Sequence, residues 1–415
     1  MTEIKFLNHH TKHKLLIIIR YIIVFVFTSI SIFYMNMIYF RKFQIFNQRE
    51  MVNLKNFQQD PNLTVSNADC TDNKFTSSRL VWPEQLPRGD RIKEQLYYIP
   101  KGYKYLETPI KRILIYTGPG ATWERLKADQ GEFIGCPVSQ CWLTLNKSLG
   151  PEVDAVMFRH FYKRPEYQRP PNQIWILLNT EAPPHPTKIV SDAHVINWTA
   201  NYRWDSDIPI PYGYFMKYNS SMSQDGEKNY AENKTKKVAW FVSNCNPNSN
   251  RKNYVNQLAQ YISIDVYGKC GKLQCPKAND KCFEMLKNDY KFYLSFENSH
   301  CVYYVTEKFF ENALNYDTLP IVMGPSRKDY ELIAPSNSFI HVDDFESPKK
   351  LADYLHLLDS NHQLYNEYFR WKGSGTLTRD TRFYCRLCAM LHDTERGPRH
   401  YEDVNKWWRG PGTCN

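Results

Sequence analysis

The sequence predicts an α/β protein of two Rossmann-like domains facing a cleft, preceded by a single transmembrane helix. Three observations carry this expectation. Short apolar runs alternate with amphipathic helical stretches in two separate sets, the pattern of a parallel sheet covered on both faces. A polar segment at 219–237, NSSMSQDGEKNYAENKTKK, divides the two sets. An uncharged run at 21–40, YIIVFVFTSISIFYMNMIYF, matches one bilayer crossing of about 20 residues.

The apolar run is flanked by Lys14 and Arg20 on one side and by Arg41 and Lys42 on the other, with aromatic residues at both edges. No small-residue cleavage pattern follows it, which favours a retained signal-anchor over a removed signal peptide. The flanking charges balance and give no orientation. The chain has 11 cysteines, and the first of them is Cys70. The N-x-[ST] sequons, at Asn62, Asn146, Asn197, Asn219 and Asn233, also all follow the run. Both features place the chain after the span in an oxidising lumen. The expected layout is a cytosolic tail at 1–20, the anchor at 21–40 and a polar stem at 41–95. An N-terminal domain at 96–225 and a C-terminal domain at 236–390 follow, with a tail at 391–415. This single-pass type II layout is that of Golgi membrane enzymes and of some surface receptors.

The formal charge is +10. The cations are scattered and form no block of nucleic-acid type, so nucleic acid is not expected as a partner. A generally basic surface accounts for the charge, and a phosphate-bearing ligand is the sharper reading. Cys385 and Cys388 make a lone C-x-x-C, with no second pair and no thioredoxin-like context. They are expected to form a structural disulfide. The odd number of cysteines leaves at least one thiol free or intermolecular.

In the first set, RILIYTGPG from Arg112, VDAVMFRHF and QIWILLN are the expected strands. INWTANYRWDSDIPIPYGYF reads as a loop. In the second set, VAWFVSN, SIDVYG, YKFYLSFENS, TLPIVMG and SFIHVDDF are strands. The helices between them are NRKNYVNQLAQYI, TEKFFENALNY, RKDYELIA and SPKKLADYLHLLDSN.

Ligands of open α/β sheets bind beyond the carboxyl ends of the strands, and this rule sorts the polar residues. Arg251 and Lys252 open a helix after a strand and a loop, a suitable place for a diphosphate. After the next core strand come Glu297, Asn298 and Ser299, then Tyr304, Thr306, Glu307 and Lys308. Lys308 can neutralise a phosphate. Glu307 would repel one, and makes sense as an acceptor of hydrogen bonds from sugar hydroxyls. Glu181, at a strand end in NTEAPPHP, is positioned as a general base. Asp205-Ser206-Asp207 has the D-x-D form of some metal-dependent sugar transferases, but it runs into IPIPYG and reads as a turn; no metal site is assigned.

Taken together, these residues resemble the α1,3-fucosyltransferase family, glycosyltransferase family 10. The likeness rests on FYLSFENSHCVYYVTEKFFENALNYDTLPIVMG, on WFVSNCNPNSNRKNYVNQL, on YRWDSDIPIPYG and on NTEAPPHP. It spans roughly 170–390. It implies the GT-B arrangement of two Rossmann-like domains, GDP-fucose as donor and inverting transfer. Arg251 and Lys308 then correspond to cations at the diphosphate. Tyr304, Glu307 and Asn298 correspond to donor-contacting positions, and Glu181 to the base. Ala182 stands where many members have serine. No cofactor is required for the fold, and stimulation by Mn or Mg stays open. The segment FYCRLCAMLHDTERGPRHYEDVNKWWRGPGTC is similar to the tail of invertebrate core α1,3-fucosyltransferases, which implies the innermost GlcNAc of glycoprotein N-glycans as acceptor. Outer LacNAc antennae are the alternative acceptor. A non-catalytic lumenal lectin or receptor is the alternative of another class.

Overall fold

The computed structural model describes residues 80–87, 89–118, 129–183, 189–218, 228–275, 280–397 and 399–414. The expected span at 21–40, the stem up to residue 79, Cys70, Asn62 and Asn219 lie outside these residues. No helix among the described residues is long and apolar enough to cross a membrane.

The chain enters through helix α1 (Arg91–Leu96), then builds strands β1 (Lys111–Thr117), β2 (Cys141–Thr144), β3 (Ala155–Arg159), β4 (Ile174–Leu178), β5 (Trp198–Asn201) and β6 (Ile208–Pro209). These form a parallel six-stranded sheet in the order β2-β1-β3-β4-β5-β6. Strands β3 and β4 are almost wholly apolar and buried on both faces, as a covered parallel sheet requires. Next comes β7 (Tyr214–Lys217), followed by β8 (Lys236–Phe241), helix α2 (Arg251–Leu258), β9 (Ile264–Tyr267), α3 (Asp280–Asp289), β10 (Tyr290–Phe296), β11 (Leu319–Met323), α4 (Arg327–Ile333) and β12 (Ile340–His341). A second parallel sheet has the order β12-β11-β10-β8-β9. Helix α5 (Pro348–Ser360) covers it, starting at Ser347, whose side chain accepts from the Lys350 N–H, with Pro348 in the first turn. Its Leu351, Leu355 and Leu358 recur at helical spacing and are fully buried.

Helix α6 (His362–Glu367) and β13 (Gly375–Thr378) follow, and β13 pairs antiparallel with β7. Helices α7 (Phe383–Leu391) and α8 (Val404–Arg409) then return to the first sheet. Cys385, Leu387, Cys388 and Met390 of α7 join Ile113, Ile115, Met157 and Ile176 in one core. Trp408 of α8 joins Phe158, Trp175 and Tyr202 in another. Residues 78–415 thus form one compact unit.

Several expectations are corrected here. Residues 80–95, assigned to the stem, are folded: Val81 and Trp82 are buried, and Trp82 packs against Trp198 at 5.3 Å. The segment from Ile196 to Phe215, read as a loop, contains β5, β6 and the start of β7. The 236–390 boundary and the separate tail at 391–415 also give way, because α7 and α8 complete the N-terminal half. Cys385 and Cys388 are both oxidised, but not to each other. They bond to Cys136 and Cys141, which lets two consecutive turns of α7 clamp the first sheet. Cys245–Cys270, Cys275–Cys282 and Cys301–Cys414 are the other disulfides among the described residues.

Candidate active site

Lys308 opens a π-helical turn, Lys308–Ala313, where the sequence predicts an ordinary helix. Such widened turns concentrate at functional sites. Phe309 and Phe310 are both buried beneath it. Gly213, at the end of the first half, lies so close that a Cβ there would enter the Phe310 ring. Thr306 does not cap the turn. Its N–H and hydroxyl both go to Glu297, the residue after β10, at 2.8 and 2.9 Å.

Glu297 is fully buried. Its Oε2 accepts from the Lys308 ammonium at 2.9 Å. Lys308 also donates to the Thr306 hydroxyl at 2.7 Å and to Glu307 Oε1 at 3.3 Å. An ammonium has three protons, so all of them are engaged. Burial pushes the Glu297 carboxyl up, against the pull of Lys308. Burial alone would lower the Lys308 pKa, but the carboxylates of Glu297 and Glu307 outweigh it and the ammonium is held raised. Burial alone would likewise raise Glu307, yet Lys308 beside it keeps that carboxylate below its usual range.

Arg251 opens α2 and is 3% exposed. Its guanidinium donates to the carbonyls of Phe296 at 2.6 Å and Asn244 at 3.0 Å, while its buried Nε has no hydrogen-bond partner among the described residues. Arg251 therefore fastens the ends of β8 and β10 together. It also lines a pocket of about 580 Å³ with Trp240, Asn244, Lys252, Asp265 and Lys269. The Asn298 carbonyl accepts from Ser249 N–H at 3.1 Å, which ties the loop before α2 to the same strand end.

Tyr304 is buried between the halves, with its ring 5.0 Å from Tyr202 and 6.1 Å from Tyr212. Tyr212 donates to the Thr180 carbonyl at 2.9 Å, one residue before Glu181. Glu181 lies exposed beyond β4, its N–H donating to Asn179 Oδ1 at 3.0 Å. Burial raises the Tyr304 and Tyr212 hydroxyls, and the charges of Glu181 and Glu297 raise both further. The fold thus gathers Glu181, Tyr304, Glu307, Lys308 and Arg251 at the carboxyl ends of the two sheets. The arrangement offers a solvent-facing carboxylate on one side and a fixed ammonium on the other.

Two residues were missed by the sequence reading as parts of this site. Glu297 was placed at the end of the strand YKFYLSFENS and given no role. His160 directly follows β3 and has a φ of 64°, a left-handed conformation that is unusual for a residue with a Cβ. Its imidazole is held below its usual pKa by burial and by Arg159, against the opposing charge of Glu181. A histidine directly after a core strand was the available signal.

Other candidates have structural roles. Asp205 accepts from Arg203 at 2.8 Å and from Trp407 at 3.2 Å. Asp207 is fully buried and accepts from Thr199 N–H and the Tyr401 hydroxyl. The D-S-D element thus anchors the C-terminal segment. Asn197 does not fit a glycan carrier: it is 9% exposed, and its amide N–H donates to the Arg399 carbonyl at 2.7 Å. Asn146 and Asn233 are exposed.

The fucosyltransferase C-terminal profile of glycosyltransferase family 10 matches residues 231–407, and the fucosyltransferase N-terminal profile matches residues 108–213. The chain is 47% identical over 364 residues to glycoprotein 3-alpha-L-fucosyltransferase A of Drosophila melanogaster, covering 85% of this chain and 71% of that protein. It is 34% identical over 313 residues to alpha-(1,3)-fucosyltransferase fut-1 of Caenorhabditis elegans, covering 72% of this chain and 70% of that protein. A crystal structure of an alpha1,3-fucosyltransferase with GDP superposes with a TM-score of 0.50 at 16% identity, over 76% of this chain and 98% of that one. At that identity the superposition speaks for the α/β fold alone.

Proposed function

Because this chain belongs to glycosyltransferase family 10, the fucosyltransferases, we propose that it transfers L-fucose from GDP-fucose in α1,3 linkage to GlcNAc, with the innermost GlcNAc of glycoprotein N-glycans as acceptor. The observation that carries this reading is the 47% identity to the Drosophila protein, whose name specifies a glycoprotein 3-alpha-L-fucosyltransferase. The donor sits at the carboxyl ends of β8, β9 and β10. The basic pocket lined by Arg251, Lys252 and Lys269 takes part of the nucleotide, and the Lys308 ammonium meets the diphosphate. Asn298, Tyr304 and Glu307 belong to the same wall.

The acceptor hydroxyl attacks the fucose anomeric carbon from the side opposite GDP, inverting it. Its proton passes to the Glu181 carboxylate, while the anomeric C–O bond breaks and GDP leaves with the electron pair. Negative charge grows on the diphosphate, where a preorganised ammonium stabilises it at no reorganisation cost. No cofactor is assigned to the fold, and assays with and without added Mn or Mg measure whether a divalent ion stimulates transfer. Residues 21–40 serve as the Golgi signal-anchor of a single-pass type II protein, in keeping with their uncharged sequence.

The test is an assay of the soluble chain from residue 78 with GDP-fucose and two acceptors, a core N-glycan and a LacNAc oligosaccharide. Fucose on the innermost GlcNAc is the expected product. Exclusive modification of LacNAc moves the acceptor to the antennae, and absence of GDP affinity removes the enzyme reading in favour of a lectin or receptor.

A further inference from the structure

The Lys308 ammonium is held from three sides, and the three holds are unequal. Glu297 is fully buried and cannot follow a ligand outward. Thr306 is 1% exposed and is itself fixed to Glu297 through both its N–H and its hydroxyl. The bonds from Lys308 to these two are 2.9 and 2.7 Å. The third, to Glu307, is 3.3 Å, and the Glu307 side chain is 44% exposed. Glu297 has little freedom of its own. Its N–H donates to the Met323 carbonyl at 2.8 Å, and a Cβ on Gly324 would stand 3.0 Å from its Cγ. The side chain is packed between two strand ends, and a Cβ at position 324 would force it to shift by a few tenths of an ångström.

We propose that Glu297 is a positioning residue for the transfer, acting through Lys308. Together with Thr306 it takes up two of the ammonium's protons on the protein side and aims the third at the ligand side. That proton rests on Glu307 in the structure. When a diphosphate oxygen arrives, Lys308 exchanges Glu307 for the phosphate, and Glu307 is released toward the hydroxyl groups of the donor. The exchange replaces one charge-assisted bond by another, without moving the buried pair. The buried carboxylate also keeps Lys308 charged in a place where burial opposes charge.

This inference rests on the GDP-fucose reading given above. The two are told apart by the wild-type chain: no turnover of GDP-fucose by wild type removes the reading itself, whereas normal wild-type turnover isolates the variants. The variants are Glu297→Gln, Lys308→Met and the double variant. Glu297→Gln should lower kcat by about 10–100-fold while KM for GDP-fucose changes by less than about threefold, because the lost interaction matters most as charge grows on the leaving group. In the double variant, Glu297→Gln should cost less than about twofold beyond Lys308→Met, since its effect passes through the ammonium. The double variant should also melt higher than Lys308→Met, which leaves the buried carboxylate unpaired. A purely structural role for Glu297 predicts equal losses in both backgrounds, and that result overturns the proposal, as does wild-type kcat in Glu297→Gln. If Glu297→Gln does not fold, Thr306→Val and Thr306→Ser replace it. Loss of kcat in the valine variant with substantial recovery in the serine variant supports the positioning role, and equal kcat in the two overturns it.

Discussion

Glu181 and Lys308 divide the proposed chemistry between a base that faces solvent and a cation that is locked in place. Glu181→Gln preserves size and the backbone bond to Asn179, so GDP affinity should stay unchanged while kcat falls by about 10²–10⁴-fold, the usual contribution of a positioned general base. Calorimetry with GDP and turnover with GDP-fucose check the two halves of that expectation, and near-normal turnover would take the base role from Glu181. The placement of Glu181, Arg251, Tyr304, Glu307 and Lys308 was legible in the sequence, because each follows a strand that could be read from its apolar run. Their partners were not legible. Arg251 spends two of its nitrogens on backbone carbonyls. Lys308 meets Glu297 from 11 residues away, and only the placement of a strand end against a helix start brings those two together. Asn197 shows the same limit: a sequon is a local pattern, while access to its amide is decided by Arg399, 202 residues away in the chain.

At the scale of single elements, strands with long apolar runs such as β3, β4, β10 and β11 were readable because burial on both faces leaves little else for them to be. Strands β5 and β6 are only four and two residues long, and β5 carries Thr199 and Asn201, so no periodicity betrays them. The π-helical turn at Lys308–Ala313 differs from an α-helix by a shift in hydrogen-bond partner, which the side-chain pattern does not encode. Helix α7 offers an element-scale test at its C-terminal end. His392 donates Nε2–H to the Gln140 carbonyl at 2.9 Å and stacks edge-on with Tyr103. Burial lowers its pKa below 6.5, against the opposing effect of the Gln140 carbonyl. The folded imidazole therefore stays neutral as the unfolded one takes up a proton, so its stabilising contribution is full above 6.5 and declines as the pH falls through that value. Melting curves between about pH 7.5 and about pH 5.5 should show the wild type losing more stability than His392→Gln over that interval. Parallel curves for the two would place the pH dependence elsewhere.

For the molecule as a whole, the two parallel sheets and the division near 219–237 were anticipated, but the closing path of the chain was not. The last 33 residues run back across the first sheet and complete its covering layers with α7, Tyr401 and Trp408. Deleting residues 400–415 should therefore act as a core truncation. It removes Trp408, which is 2% exposed, the Tyr401 bond to Asp207 and the Cys301–Cys414 disulfide. Loss of a buried tryptophan alone costs about 3–5 kcal/mol, and a native disulfide about 2–5 kcal/mol, so the shortened chain should be recovered aggregated or melt far below the full one. A soluble truncated protein with an unchanged melting temperature would show that the C-terminal segment is dispensable.

The route of those disulfides has a consequence for how the chain is made. Cys136 and Cys141 leave the ribosome nearly 250 residues ahead of Cys385 and Cys388, with separations of 249 and 247. At about 5–20 residues per second, two thiols wait about 10–50 seconds before the cysteines they pair with in the structure are made. Cys245 and Cys270 emerge while they wait. The first sheet cannot be sealed in order of synthesis, because the partners of Cys136 and Cys141 come only after the whole second sheet. Reoxidation of the reduced chain should therefore reach these two pairings faster with a disulfide isomerase present than without one.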